Sequence, residues 1–276
     1  MSNVNVRAFA DELRRKIAER QHGVPTFADQ VWLALIAHLE QGGDASDAHG
    51  PEAVQRLEQL MARRSAGRFV DYATRRQGAG HNGASDIGYF DLVMSQGVTA
   101  CLQWKGLPLF KTVYDFSLYP MILWALRPRT VIELGSGAGA SAVWLADMAG
   151  AFGLDAHVYS VDLQKPAVAH ERVTFVEGDC EAIASVFDEA ALRGAPHPWL
   201  LLEDAHVDVF GVLRYLHRFT RAGDYVIVED SAGKQDELRR FIVRHPGAYA
   251  VDTHYTDFFG RNATCAEDSI FVRTSD

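Results

Sequence analysis

Apolar residues recur at helical spacing over residues 6–21 and 26–41, with Thr26 placed as an N-cap for the second run. Pro51 stands where a third helix would begin, running to about residue 65. Two glycine-rich stretches, QGGDASDAHGP at 41–51 and RRQGAGHNGASDIG at 75–88, read as loops. From Thr130 the pattern changes to short β-branched runs alternating with helical stretches, which predicts a parallel sheet covered on both faces. Seven strands are expected, at 130–135, 157–163, 173–178, 198–204, 224–230, 248–254 and 269–273, with helices at 139–149, 181–193, 207–221 and 234–245. No convincing helix separates the last two strands, so they are expected to form an antiparallel hairpin at the sheet edge. The fold class is therefore α/β, a Rossmann-like seven-stranded sheet. A helical N-terminal extension is expected over 1–100 and a ligand-binding domain over 101–276.

Composition narrows the ligand. Apolar residues make up 48% and charged residues 23% of 276 positions, so the chain can bury a full core. A formal net charge of −9 argues against nucleic acid and anionic membranes, which attract basic faces, and leaves a small molecule. Cys101, Cys180 and Cys265 are odd in number and lack CxxC spacing, so neither a disulfide framework nor a zinc site is expected, and a reducing cytoplasm fits. The charged N-terminal stretch has no signal-peptide core, and VWLALIAHL is too short to span a bilayer.

Chemistry concentrates at the ends of the predicted strands, where open α/β sheets bind ligands. VIELGSGAGAS, 131–141, is a strand, a glycine turn and a helix start, so Gly135, Ser136 and Gly137 bring backbone close to a ligand at a helix N-terminus. Gly135, Gly137 and Ala140 also satisfy a dinucleotide pattern, which keeps a nicotinamide enzyme in view. Glu133 suits a cationic ligand better than a pyrophosphate. Asp162, beside Leu163, can accept ribose hydroxyls from either cofactor. Asp179, with Cys180, can accept from an adenine amino group, or else simply cap the helix that follows. These details favour S-adenosylmethionine (SAM).

From about Gln103 onward the chain resembles the class I SAM methyltransferases, and more narrowly the cephalosporin hydroxylase/rhamnosyl O-methyltransferase group. The resemblance rests on QWKGLPLFKTVYDFSLYPMILWALRPRTVIELGSGAGASAVWLAD, SVDL, VEGD, EDAH and GDYVIVED, in that order. It implies a mixed seven-stranded sheet, N-terminal helices that lid the site and build homo-oligomers, and Mg²⁺ beside the cofactor. Carried over by position, the metal ligands are Asp204, Glu229 and Asp230, hard oxygen donors that suit Mg²⁺. Glu203 and Asp204 cannot both be ligands of an extended strand, because consecutive residues face opposite ways, and the resemblance selects Asp204. Alternatively, Asp204 and Asp230 cap helices and the glutamates form salt bridges.

His206 is the candidate base, two positions after Asp204 and with a side chain that titrates near neutrality; a surface or capping role is its alternative. His81 and Tyr72 could reach over the site from a lid. Trp104 and Tyr255 are candidates for the cofactor or acceptor pocket, Trp104 equally for core. The expected activity is Mg²⁺-assisted O-methylation of a small, specialised-metabolite hydroxyl. The rivals are metal-independent N- or C-methylation, a nicotinamide oxidoreductase or hydroxylase, and a non-enzymatic assembly subunit.

Overall fold

The computed structural model describes residues 6–19, 27–41, 67–76 and 85–276. It divides into two compact units, Met1–Gly67 and Arg68–Asp276. In the first, helices α1 (Val6–Glu19) and α2 (Phe27–Glu40) pack through Ala10, Leu13 and Ile17 against Leu35 and Ile36. The positions 10, 13 and 17 share one helical face, which explains the pairing. Thr26 and the expected third helix lie outside the described residues.

The second unit is built on an eight-stranded sheet. Its strands are β1 (Phe69–Val70), β4 (Thr130–Leu134), β5 (His157–Asp162), β6 (Val173–Glu177), β7 (Trp199–Glu203), β8 (Tyr225–Val228), β9 (Tyr249–Asp252) and β10 (Ile270–Arg273), in the order β1-β9-β10-β8-β7-β4-β5-β6. The small hairpin β2 (Gln103–Trp104) and β3 (Leu107–Pro108) stands apart. Lys105 and Gly106, both at positive φ, give it a tight turn. Pairing is parallel from β6 through β8, and β4 and β7 are buried at all five positions because helices cover both faces. On one face α3 (Val113–Leu126) and α4 (Ala140–Ala151) pack through Leu118, Ile122, Trp144 and Leu145. On the other, α5 (Val209–Leu216) and α6 (Gln235–Arg244) pack through Leu213, Leu216, Leu238 and Phe241.

All seven expected strands are present. The eighth, β1, has only two residues and pairs antiparallel with Val251 and Asp252. It moves the start of the sheet unit from the expected residue 101 back to Arg68. The reason is electrostatic as well as geometric. Arg68 holds Asp252 with two bonds of 2.9 and 2.8 Å, and Arg75 bridges Asp257 and Asp268 at 2.5 Å each. The last two strands do pair antiparallel, but β10 inserts between β8 and β9, so β1 forms that edge. The helix expected over 181–193 is broken at Asp188, whose side chain accepts from the Ala190 N–H and starts a new helix, Glu189–Gly194. No helix among the described residues is long and apolar enough to cross a membrane.

Candidate active site

Strand order reverses at β4, with β5 on one side and β7 on the other, and a cavity of about 490 Å³ opens beyond these carboxyl ends. Its floor is the glycine turn. Gly135 has φ +100°, and a Cβ there would lie 2.6 Å from the Asp204 carbonyl oxygen, so only glycine lets β4 end this close to β7. The Gly135 and Ser136 N–H groups both donate to the Val161 carbonyl, and the Asp204 N–H donates to Leu134, which ties three strand tips together. Gly137 donates to Asp162 at 2.8 Å, leaving the other Asp162 oxygen for a ligand. Asp179 caps the turn at Cys180 by accepting from the Glu181 N–H, and it also lines the cavity, so both roles foreseen for it are compatible. Leu163 lines the wall and is exposed; Cys180 lines it too, but burial pushes its thiol up to about 11, which makes it inert.

Glu133 does not reach the cavity directly. It is buried, and burial pushes its carboxyl up. It accepts from the Ser160 hydroxyl at 2.5 Å, and Ser160 in turn lies 2.6 Å from the hydroxyl of Ser136, which does line the cavity. The carboxyl foreseen for a cationic ligand therefore meets the cavity only through hydroxyls, by way of Ser160 and Ser136 and by way of Ser141, which bonds Glu133 and lines the cavity.

The acidic tips divide by burial. Asp204, His206 and Asp230 offer ligand atoms that all lie within 4.8 Å of one another at the cavity mouth. His206 sits at φ +62° with its Nδ1 2.7 Å from the Asp204 carbonyl oxygen, which can only accept. Nδ1 therefore donates to that carbonyl, and Nε2 is turned toward the Asp230 carboxylate, 3.1 Å away. This turn is held by Glu203. Its Oε1 accepts from the N–H groups of Ala205 and His206 at 3.1 and 3.3 Å, and its Oε2 accepts from Lys234 at 2.9 Å. Helix capping explains neither aspartate: Asp208 caps α5 by accepting from the Gly211 N–H, and Asp230 makes no cap bond.

Glu229 departs from the expected ligand set. It is buried, accepting from Lys111 at one oxygen and from the Tyr119 hydroxyl at the other. Burial pushes its carboxyl up, Asp204 adds to the shift, and Lys111 opposes it. The Lys111 ammonium also reaches Asp204 at 3.0 Å. Burial works against this charge, yet the two carboxylates hold it well above the ordinary lysine range. The salt-bridge role foreseen as the alternative therefore holds for both glutamates, with lysine partners that the sequence reading did not select.

Three aromatic candidates are displaced. Tyr72 is buried in the core against Phe271, and its hydroxyl donates to Gln235 at 2.7 Å. Trp104 donates to Asp147 at 2.7 Å and packs on Phe116. Tyr255 is buried beside Tyr225 and under Arg68. None of them lines the cavity. Gln96, Pro108, Leu109 and Phe110, which had no part in the expectation, form its remaining wall. His81 lies outside the described residues.

A sheet reversing at β4, a glycine turn leading into α4 and an acid at the tip of β5 define a class I SAM-dependent methyltransferase. The family model for rhamnosyl O-methyltransferase/CmcI matches residues 96–250, and the chain belongs to this family. The rhamnosyl O-methyltransferase of Mycobacterium leprae is 29% identical over 191 residues, covering 62% of this chain and 82% of that protein. Its counterpart in Mycobacterium bovis is 31% identical over 62% of this chain and 77% of that protein. An apo structure of CmcI superimposes with a TM-score of 0.57 at 26% identity, covering 65% of this chain and 79% of that one. CmcI with Mg and SAM gives 0.55 at 25% identity, covering 63% and 77%.

Proposed function

We propose that the protein transfers the methyl group of SAM to a hydroxyl of a small-molecule acceptor, with Mg²⁺ held at the tips of β7 and β8. The observation that carries this reading is the convergence of Asp204, His206 and Asp230 at the mouth of a cavity whose floor is the glycine turn. The residues fit both groups. The cavity volume suits a cofactor, and Asp162 and Asp179 each keep one oxygen beyond its backbone bond. Two carboxylates with an exposed imidazole nitrogen fit a divalent ion that retains waters. SAM supplies an electrophilic methyl on sulfur, and the ion supplies a Lewis acid that lowers the pKa of an acceptor hydroxyl.

The chain's own residues do the rest. Gly135, Ser136 and Gly137 bring backbone against the cofactor, while Asp162 accepts from its ribose and Asp179 from its adenine. Asp204 and Asp230 would hold the ion, and the Glu229 oxygen now bonded to Lys111 would join them once that lysine lets go. Nε2 of His206, once parted from the Asp230 carboxylate, would take the acceptor proton. Replacing His206 with Asn is expected to lower kcat about 10²-fold while leaving the Kd for S-adenosylhomocysteine unchanged, as removal of a general base does. A second reading makes His206 a metal ligand in place of Glu229, which the 4.8 Å grouping favours. H206N would then weaken Mn²⁺ binding as well as slow the rate.

The relatives named rhamnosyl O-methyltransferase make a sugar hydroxyl the first acceptor class to assay. The decisive measurement is S-adenosylhomocysteine release with a panel of glycosides and phenols, before and after chelation. Activity should disappear with EDTA and return with Mg²⁺. Turnover that survives chelation would point to the metal-independent rival.

A further inference from the structure

Among the described residues, two lysines bond the acidic tips at the cavity end of β7 and β8: Lys234, which is occupied by Glu203, and Lys111. Its side chain is only 3% exposed, it lines the cavity, and it contacts Oδ2 of Asp204 and Oε2 of Glu229 at once. No other protein partner of its ammonium is found among the described residues. Both carboxylates belong to the ligand set proposed for the ion. An ammonium and a divalent cation cannot share these oxygens without strong repulsion across a poorly solvated site.

We propose that Lys111 is a resident counter-cation: in the metal-free protein it stands in for the divalent ion between Asp204 and Glu229, and it gives up these carboxylates when the ion binds. This rests on the metal-dependent reading above and adds an affinity-setting residue to it. Two buried or half-buried carboxylates side by side would otherwise repel while the site waits for an ion. Lysine is suited to the exchange because its charge sits on a flexible four-carbon stem with rotatable donors, unlike the rigid fork of arginine. Lys111 comes from the residue just before the Thr112 cap of α3, so its main chain is anchored while its head can swing. The Tyr119 hydroxyl keeps its hold on the second oxygen of Glu229 throughout.

A neutral side chain at this position should tighten metal binding, for two reasons that act together. The metal-free state is left with an unpaired buried acid, and the metal-bound state loses a nearby positive charge. The test is a Mn²⁺ titration, followed by electron paramagnetic resonance and calorimetry, on the wild type, Lys111→Met, Lys111→Gln and Lys111→Arg. The Met and Gln variants should bind Mn²⁺ at least about tenfold more tightly, and the ion should raise their Tm by more than it raises the wild type's. Lys111→Arg keeps the charge and should show no such gain in Mn²⁺ affinity. Retained S-adenosylhomocysteine binding reports that each variant is folded. A wild type that binds Mn²⁺, with neutral variants that bind it equally or more weakly, overturns the counter-cation role alone. No Mn²⁺ binding by any form overturns the metal-dependent reading and this inference with it.

Discussion

Asp204→Asn is expected to lower kcat/KM for methyl transfer by about 10³-fold, equivalent to roughly 4 kcal/mol of transition-state stabilisation, with little change in S-adenosylhomocysteine affinity. Asp204 is the acid shared by both halves of the site. One oxygen takes the Lys111 ammonium at 3.0 Å, while the other lies 3.7 Å from His206 Nδ1, inside the group that includes Asp230. Asparagine keeps the shape but replaces an anionic acceptor with a neutral amide, which weakens the ion's hold and leaves Lys111 short of charge. The main-chain N–H of residue 204 still bonds Leu134, so the cavity floor is kept. Steady-state rates with saturating Mg²⁺, together with Mn²⁺ binding, check this; a loss of less than tenfold would remove Asp204 from the ion's ligands.

The largest stability effect is expected at Lys234. Its partner Glu203 is fully buried, and the pair is 2.9 Å apart. Lys234→Met leaves that carboxylate buried and unpaired, which costs about 3–5 kcal/mol. For a unit of this size the Tm should fall by roughly 10 °C or more. Burial already pushes the Glu203 carboxyl up, and Lys234 is the main force pulling it back. Without Lys234 the folded state holds the Glu203 proton more tightly than the unfolded chain does. That contribution to stability is present below the ordinary glutamate value of 4.5 and is lost as pH rises through the folded value. The Tm deficit should therefore be larger at pH 8 than at pH 5. Thermal unfolding at the two pH values measures it, and an equal deficit at both would mean that Glu203 is not the group left exposed to the change.

The central strands were legible because VIEL, VYSV, WLLLE and YVIV are dominated by apolar residues, as central parallel strands require. A two-residue edge strand carries no period at all, so Phe69–Val70 was invisible, and the domain boundary was misplaced with it. Asp204, His206 and Asp230 could be found because charged residues directly after a buried strand have few places to go but the ligand end of the sheet. Tyr72, Trp104 and Tyr255 could not be sorted the same way. A buried ring with its polar atom satisfied by Gln235, Asp147 or a neighbouring arginine leaves the same trace in sequence as a ring facing a ligand. Lys111 was missed for a related reason. A lysine ending the apolar run LPLF reads as a stem lying on the core with its head in water, whereas its head is buried against two acids.

The insertion of β10 between β8 and β9 also makes the acidic tip of β8 depend on the C-terminal strand. The tip of β8 is fastened from much later in the chain: the Val228 N–H bonds to the Ser269 carbonyl at 3.1 Å, the Ser269 hydroxyl returns to Val228 at 2.7 Å, and the Ser231 N–H bonds to Cys265 at 3.1 Å. On its other side the same tip is held by earlier chain, because the Glu229 N–H bonds to the Glu203 carbonyl at 2.9 Å and β8 pairs with β7. The tip that carries Glu229 and Asp230 is thus clamped from both directions along the chain, so loosening the C-terminal strand should loosen the acids before it disturbs the glycine turn.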